Sequence, residues 1–225
     1  YTGDISLNAN HTLAPLKAIN NGTTGTITLN SYGVDLSGTS ADVGAALAEP
    51  FASTYTGNIT LTDSHTLAQL KAINSQTTGQ ITLADNTVVL TGSASDIKTA
   101  LSGTFAAAYE GNVVISDANG TSITAADIST IAGDTAGTVT VSNNINITGT
   151  AAEITTAVGD VNTFSGTPTT TLSTAHTLSQ LATINTAIAG ANTLNDSSVD
   201  LSGTAADVAA ALELISSYTG NVALT

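Results

Sequence analysis

The chain repeats itself, and this constrains its fold more than any other property. Tyr1-Thr-Gly-Asp-Ile-Ser-Leu returns as Tyr55-Thr-Gly-Asn-Ile-Thr-Leu, as Tyr109-Glu-Gly-Asn-Val-Val-Ile and as Tyr218-Thr-Gly-Asn-Val-Ala-Leu. His11-Thr-Leu-Ala-Pro-Leu-Lys-Ala-Ile-Asn returns at His65 and, with more change, at His176. Leu36-Ser-Gly-Thr-Ser-Ala-Asp-Val returns at Leu90, Ile147 and Leu201. The period is 54 residues, giving repeats at 1–54, 55–108, 109–165 and 166–217, with 218–225 as the orphan first strand of a further repeat. A period of this size marks a supersecondary unit that buries its apolar face only by stacking on its neighbours.

A half-period lies inside the first. Candidate helix caps fall at Thr12, Thr39, Thr66, Ser93, Thr124, Thr150, Thr177 and Thr204, mostly 27 residues apart. Three residues after each cap except the first stands an acid or amide: Asp42, Gln69, Asp96, Asp127, Glu153, Gln180, Asp207. This is the capping-box pattern, and it predicts eight short helices. The apolar stripes alternate between two types, Leu13, Leu16, Ile19 in one and Val43, Ala46, Leu47 in the other. Between helices, runs such as Ile59-Thr-Leu, Ile81-Thr-Leu and Val88-Val-Leu alternate with period two and read as strands. The strands around Leu29–Val34 and Leu83–Val88 flank Asn, Asp, Ser and Gly and predict hairpins. The strand before each first-type helix and the strand after it predict a small parallel crossover. The fold class is thus an α+β repeat, four 54-residue β-α-β-β-α units stacked as an elongated rod. The junctions, such as 47–54, are partly apolar and predict packing between repeats rather than flexible linkers. The segment 163–171, with Gly166 and Pro168, is expected to be the irregular joint.

Composition narrows the function. Three basic residues against 17 acidic ones leave a net charge of −14, which excludes a nucleic-acid footprint. The absence of Cys excludes disulfides, zinc–cysteine sites and a cysteine nucleophile. No apolar run reaches the length of a membrane span, so insertion in a membrane is not expected. Only 9% of residues are charged, so Thr, Ser, Asn and Gly must make the surface polar. That palette points to a secreted, extracellular or cell-surface location, and the lack of an initial Met to a processed or excised chain.

Each candidate site also has a structural role open to it. His11, His65 and His176 each precede a cap Thr and are expected to staple onto Leu16, Leu70 and Leu181; the third repeat has Ile123 there, and Ile cannot replace a ligand. The recurrent acids Asp42, Asp96, Glu153 and Asp207 read as capping and helix-dipole partners. Asp117 and Asn119, in Asp117-Ala-Asn-Gly-Thr121, open the one segment with the character of a calcium loop, but the later Glu is missing and a simple turn is the preferred reading. No other cofactor is expected. Thr-x-Thr strands such as Thr26-Ile-Thr28 suggest an ice-binding face, against which stands ordinary solvent-facing Thr. Gly38, Gly92, Gly149 and Gly203 lack the Gly cluster and Lys of a phosphate cradle. No nucleophile–base or paired-carboxylate constellation stands out, so an enzyme is not expected.

The three repeated motifs quoted above resemble the Thr/Ala/Asp-rich tandem repeats of very large secreted or cell-surface proteins of bacteria, notably marine cyanobacteria. The resemblance covers essentially the whole chain. It implies an extracellular scaffolding or adhesive role, in some members beside glycine-rich calcium repeats that this chain lacks. The expected function is therefore a structural repeat protein of a surface fibre, surface layer or adhesin stalk. It would self-associate, with strand 218–225 completing a sheet in the next copy. The alternative is an adhesive module that binds glycans or a cell surface, for which Tyr32 is the one candidate exposed aromatic residue.

Overall fold

The computed structural model describes every residue from 1 to 225 except Glu49, so the expected packing of junction 47–54 lies partly outside the described residues. Among the described residues there are eight helices and 15 strands. In chain order they are β1 (Ile5–Ser6), α1 (Leu13–Gly22), β2 (Ile27–Thr28), β3 (Leu36–Gly38), α2 (Ser40–Ala46), β4 (Ile59–Leu61), α3 (Leu67–Gln76), β5 (Ile81–Thr82), β6 (Leu90–Gly92), α4 (Ala94–Leu101), β7 (Val113–Ile115) and β8 (Ser122–Thr124). They continue as α5 (Ala125–Gly133), β9 (Val139–Val141), β10 (Asn146–Gly149), α6 (Ala151–Asp160), β11 (Thr163–Phe164), β12 (Thr169–Leu172), α7 (Leu178–Ala187), β13 (Asn192–Thr193), β14 (Leu201–Gly203), α8 (Ala205–Leu212) and β15 (Val222–Leu224).

The caps work as the spacing predicts. Thr39, Thr66, Thr150, Thr177 and Thr204 each accept the backbone N–H three residues on, and the reciprocal bond completes a capping box at Thr66, Thr150 and Thr177. Thr124 accepts from Asp127 N in the same way. Thr12, followed by Pro15 instead of an acid or amide, makes no side-chain cap. Helices of seven to ten residues are marginal alone. They persist because their stripes are buried: Leu16 in α1, Leu70 and Ile73 in α3, Ile128 and Ile131 in α5, Leu181 and Ile184 in α7.

The expected hairpins are absent. The strands flanking each turn do not pair with each other; the strands pair mostly in parallel, as in β1‖β2, β3‖β4‖β5, β8‖β10‖β12‖β13, β7‖β9‖β11 and β14‖β15. β2 pairs with β1 across α1, and β3 with β4 across α2. Period-two alternation specifies that a run is a strand but not which strand lies beside it. Among the described residues a helix follows eight of the 15 strands, and six of these helices (α1, α2, α3, α4, α7 and α8) return the chain alongside the strand just left, the connection that parallel pairing needs. The crossovers expected around the first-type helices are present as β1‖β2, β4‖β5 and β12‖β13.

The chain divides into two compact units: residues 1–90, 95–112 and 134–137 in the first, and 91–94, 113–133 and 138–225 in the second. In the first, the sheets are β1-β2 and β3-β4-β5. Leu36, Ile59 and Ile81 stand in register and are buried, while Ser37, Thr60 and Thr82 stand in register and face solvent. Each such aliphatic side chain contributes about 1.5–3 kcal/mol relative to exposure. In the second unit the sheets run β13-β12-β10-β8, β11-β9-β7 and β14-β15. There Val113 faces Val139 and Ile115 faces Val141, all buried.

The segment expected to be an irregular joint is instead paired. β11 lies beside β9, and β12 lies between β10 and β13. Where β4 and β5 match Ile59 with Ile81, β12 and β13 match Thr170 with Asn192. Both are buried, and Thr170 Oγ1 donates to Asn192 Oδ1, whose amide donates to Asn185 Oδ1. A closed polar network has replaced an aliphatic pair, which is why a segment poor in apolar residues still forms strand.

Candidate functional site

The tyrosines and histidines of the repeated motifs meet. His11, one residue before the cap of α1, points Nε2 at the hydroxyl of Tyr55, 2.9 Å away. His65, before α3, makes the same approach to Tyr109 at 3.3 Å. His176, before α7, lies with its ring centroid 6.0 Å from that of Tyr218 but makes no hydrogen bond to it. The imidazoles are buried, as staples require, but the group each one meets is a tyrosine 44, 44 or 42 residues on.

Each tyrosine hydroxyl donates to a main-chain carbonyl: Tyr55 to Val34, Tyr109 to Val88 and Tyr218 to Val199. A carbonyl only accepts, so the hydroxyl proton is committed there, and the hydroxyl oxygen of Tyr55 or Tyr109 accepts from histidine Nε2–H. The result is a three-part clasp, imidazole to phenol to carbonyl. Burial pushes the pKa of all three phenols above the ordinary range, helped by Asp35 near Tyr55, Asp85 near Tyr109 and Asp200 near Tyr218. Burial lowers the pKa of all three imidazoles below the usual histidine value. The pair is therefore neutral and suited to holding position, not to moving protons near neutral pH.

The glycine two residues after each tyrosine belongs to the same clasp. A Cβ on Gly57 would stand 2.1 Å from the Val34 oxygen, and one on Gly111 2.0 Å from that of Val88, so only glycine lets the chain approach the carbonyl that the phenol grips. The amides around it are anchored in pairs. Thr56 and Gly57 N–H both donate to Tyr32 O, Glu110 and Gly111 to Asn86 O, and Thr219 and Gly220 to Ser197 O. The Tyr-x-Gly motif is thus one mechanical part.

Other repeated polar residues also bond within the chain. The Asn that ends the first-type motif donates to the last carbonyls of the following helix: Asn20 to Ala46, Asn74 to Thr99 and Ala100, Asn185 to Ala210 and Ala211. Lys17 pairs with Asp42 and Lys71 with Asp96, each across two helices. The Lys17 ammonium and the Thr39 hydroxyl hold the Asp42 carboxyl below its usual range. Beside the Lys17–Asp42 pair runs an open groove of about 710 Å³ between α1 and α2, lined by Leu13, Ala14, Ala18 and Asp35.

Asp117 and Asn119 do not converge on a common point through the bonds they make. Asp117 Oδ2 accepts from Ala94 N, the first amide of α4, at 2.7 Å. Asp63 does the same for Ser40 N, and Thr174 for Ala151 N. Asn119 Oδ1 accepts from Asn144 N, and residues 118–121 form a turn with Gly120 at φ 78°. Among the described residues no group of three or more His, Asp or Glu side chains is placed to hold a metal ion. Tyr32 is half-buried, edge-on to Phe51, and its hydroxyl accepts from Leu29 N, so the expectation of an exposed aromatic there is corrected. No helix among the described residues is long and apolar enough to cross a membrane.

The clasp went unread in the sequence, although a signal was present. The third repeat has Ile123 in place of the histidine, and 43 residues later Gly166 stands where the tyrosine should be. The two members of the pair are lost together. No protein-family model, curated protein or solved structure matches this chain.

Proposed function

We propose that the chain is a structural segment of an extracellular or cell-surface protein, part of a fibre, a surface layer or an adhesin stalk. In this reading the four repeats stack into an elongated rod. The observation that carries it is the use made of the motif residues: His11, His65, Asn20, Asn74, Asn185, Asp63 and Asp117 all bond to the chain's own backbone or rings, at matching places in successive repeats. A load-bearing array needs many similar fasteners, whereas chemistry needs convergent groups left open to a substrate. The charge of −14 fits a chain that stays soluble beside anionic surfaces.

Assembly by strand addition fits the same reading. Val222 and Leu224 of β15 are 44% and 64% exposed, while the corresponding Ile59 and Leu61 of β4 are buried. A further strand and helix of the same kind, on a second copy or on continuing chain, would cover them. Electron microscopy of the purified chain over a range of concentrations, with antibody labelling of source cells, tests the proposal. Rods that join end to end, with label at the cell surface, are expected. Compact particles and intracellular label would refute it. A glycan array tests the adhesive alternative, and binding there without assembly would favour that reading.

A further inference from the structure

Each clasp contains a buried imidazole nitrogen with nothing to bond. Nδ1 of His11, His65 and His176 has no hydrogen-bond partner among the described residues, although the three residues are only 3–6% exposed. In His11 and His65 the tyrosine geometry assigns the proton to Nε2, so Nδ1 presents a bare lone pair to its surroundings. A proton added there would create a buried cation whose new N–H meets no acceptor. We propose that the clasps of His11 and His65 are acid-releasable fasteners: the neutral imidazole holds Tyr55 or Tyr109 in place, and protonation of the ring frees the tyrosine and the Tyr-x-Gly segment behind it.

The charged neighbours do not cancel this. His11 shares its groove with Asp35, Asp42 and Lys17, the last two paired with each other. Asp85 and Asp63 act on His65, and Asp196 on His176, each favouring the cation, yet burial outweighs them and all three rings titrate below the ordinary histidine range. Because the folded pKa is depressed, the clasp stability is complete above the unfolded value of about 6.5 and declines as pH falls below it. The carboxylates held low by bonds, Asp42, Asp85, Glu153 and Asp196, lose their share only below about pH 4. Ile123 of the third repeat and Gly166, which opens the fourth, stand at the clasp positions as a built-in control with no imidazole to titrate. The proposal stands apart from any extracellular role.

The test is urea unfolding of the full chain between about pH 7.5 and about pH 5. It compares the wild type with a triple variant, His11→Ile, His65→Ile and His176→Ile, which copies the third repeat. Each clasp lowers the folding equilibrium constant by up to about tenfold per pH unit in the wild type. The variant should lose this dependence; Asp134, raised by burial, is common to both chains and cancels in the comparison. Hydrogen exchange on the wild type alone gives the second reading, should the variant fail to fold. After correction for intrinsic rates, protection of the Gly57 and Gly111 amides should fall at least about tenfold towards about pH 5, while that of Thr169, bonded to Ile145 O, holds. Protection at Gly57 and Gly111 that is constant with pH, or an equal acid loss in the triple variant, would overturn the proposal.

Discussion

Replacing Tyr109 with Phe removes one oxygen and keeps the ring. In the folded chain that oxygen serves two buried groups: it donates to Val88 O at 2.6 Å and receives His65 Nε2–H at 3.3 Å. Removing it leaves a donor and an acceptor without partners in a site from which water is excluded, Tyr109 itself being 1% exposed. Each orphaned neutral group costs about 1–3 kcal/mol. The bond to histidine is long and contributes at the low end, so the substitution should cost about 2–4 kcal/mol in total. The ring contacts with His65 and Phe105 remain, so little of the loss is packing. Both partners lie in the first compact unit, so urea unfolding should be followed with peptide-resolved hydrogen exchange over residues 1–112. Adding His65→Ile to Tyr109→Phe removes the orphaned donor, and the pair should cost less than the sum of the single changes by about 1 kcal/mol. A Tyr109→Phe chain within about 0.5 kcal/mol of wild type, or strict additivity with His65→Ile, would refute the clasp as a source of stability.

Gly57→Ala, which forces a methyl group onto the Val34 carbonyl, should cost about 1–3 kcal/mol, whereas Gly44→Ala in α2, where the added carbon meets open space, should gain about 0.5–1 kcal/mol; thermal melts distinguish the two. Thr170→Val should cost about 1–3 kcal/mol by stranding Asn192, and Asn192→Ile added to it should recover part of the loss by restoring an aliphatic pair, as read from urea midpoints. Asp117→Ala should lower the melting temperature through the lost cap on α4, worth about 1 kcal/mol, and titration calorimetry with calcium should give the same heats for variant and parent; a calcium-dependent melting shift in the parent alone would restore the metal reading.

Local chemistry was legible in the sequence and partner choice was not. Seven of the eight helices are legible from a cap, an acid or amide three residues on and an apolar stripe within one turn or two of each other, and α1 from its cap and stripe alone. The strands could be read from alternation, but Leu29–Val34 suggested a hairpin because turn residues say that the chain reverses without saying what it then meets. The actual neighbours, Leu36 beside Ile59 and Ile59 beside Ile81, stand 23 and 22 residues apart with a helix between. Segment 163–171 was misjudged because Thr170 and Asn192 look like loop residues singly and behave as core only as a bonded pair. The histidines lie inside the fold as expected, but their tyrosines open the next repeat, 44, 44 and 42 residues on. Only the joint loss of both, at Ile123 in the third repeat and at Gly166 where the fourth begins, carried that information.

Histidine and tyrosine are proposed above to form a neutral, buried fastener. Long-range proton–nitrogen NMR correlation of the imidazoles, recorded at about pH 7.5, tests it most directly. His11 and His65 should each show a protonated Nε2 and a bare Nδ1, with through-space contacts to the rings of Tyr55 and Tyr109. Rings that carry the proton on Nδ1, or that average between tautomers without contact to those tyrosines, would contradict it.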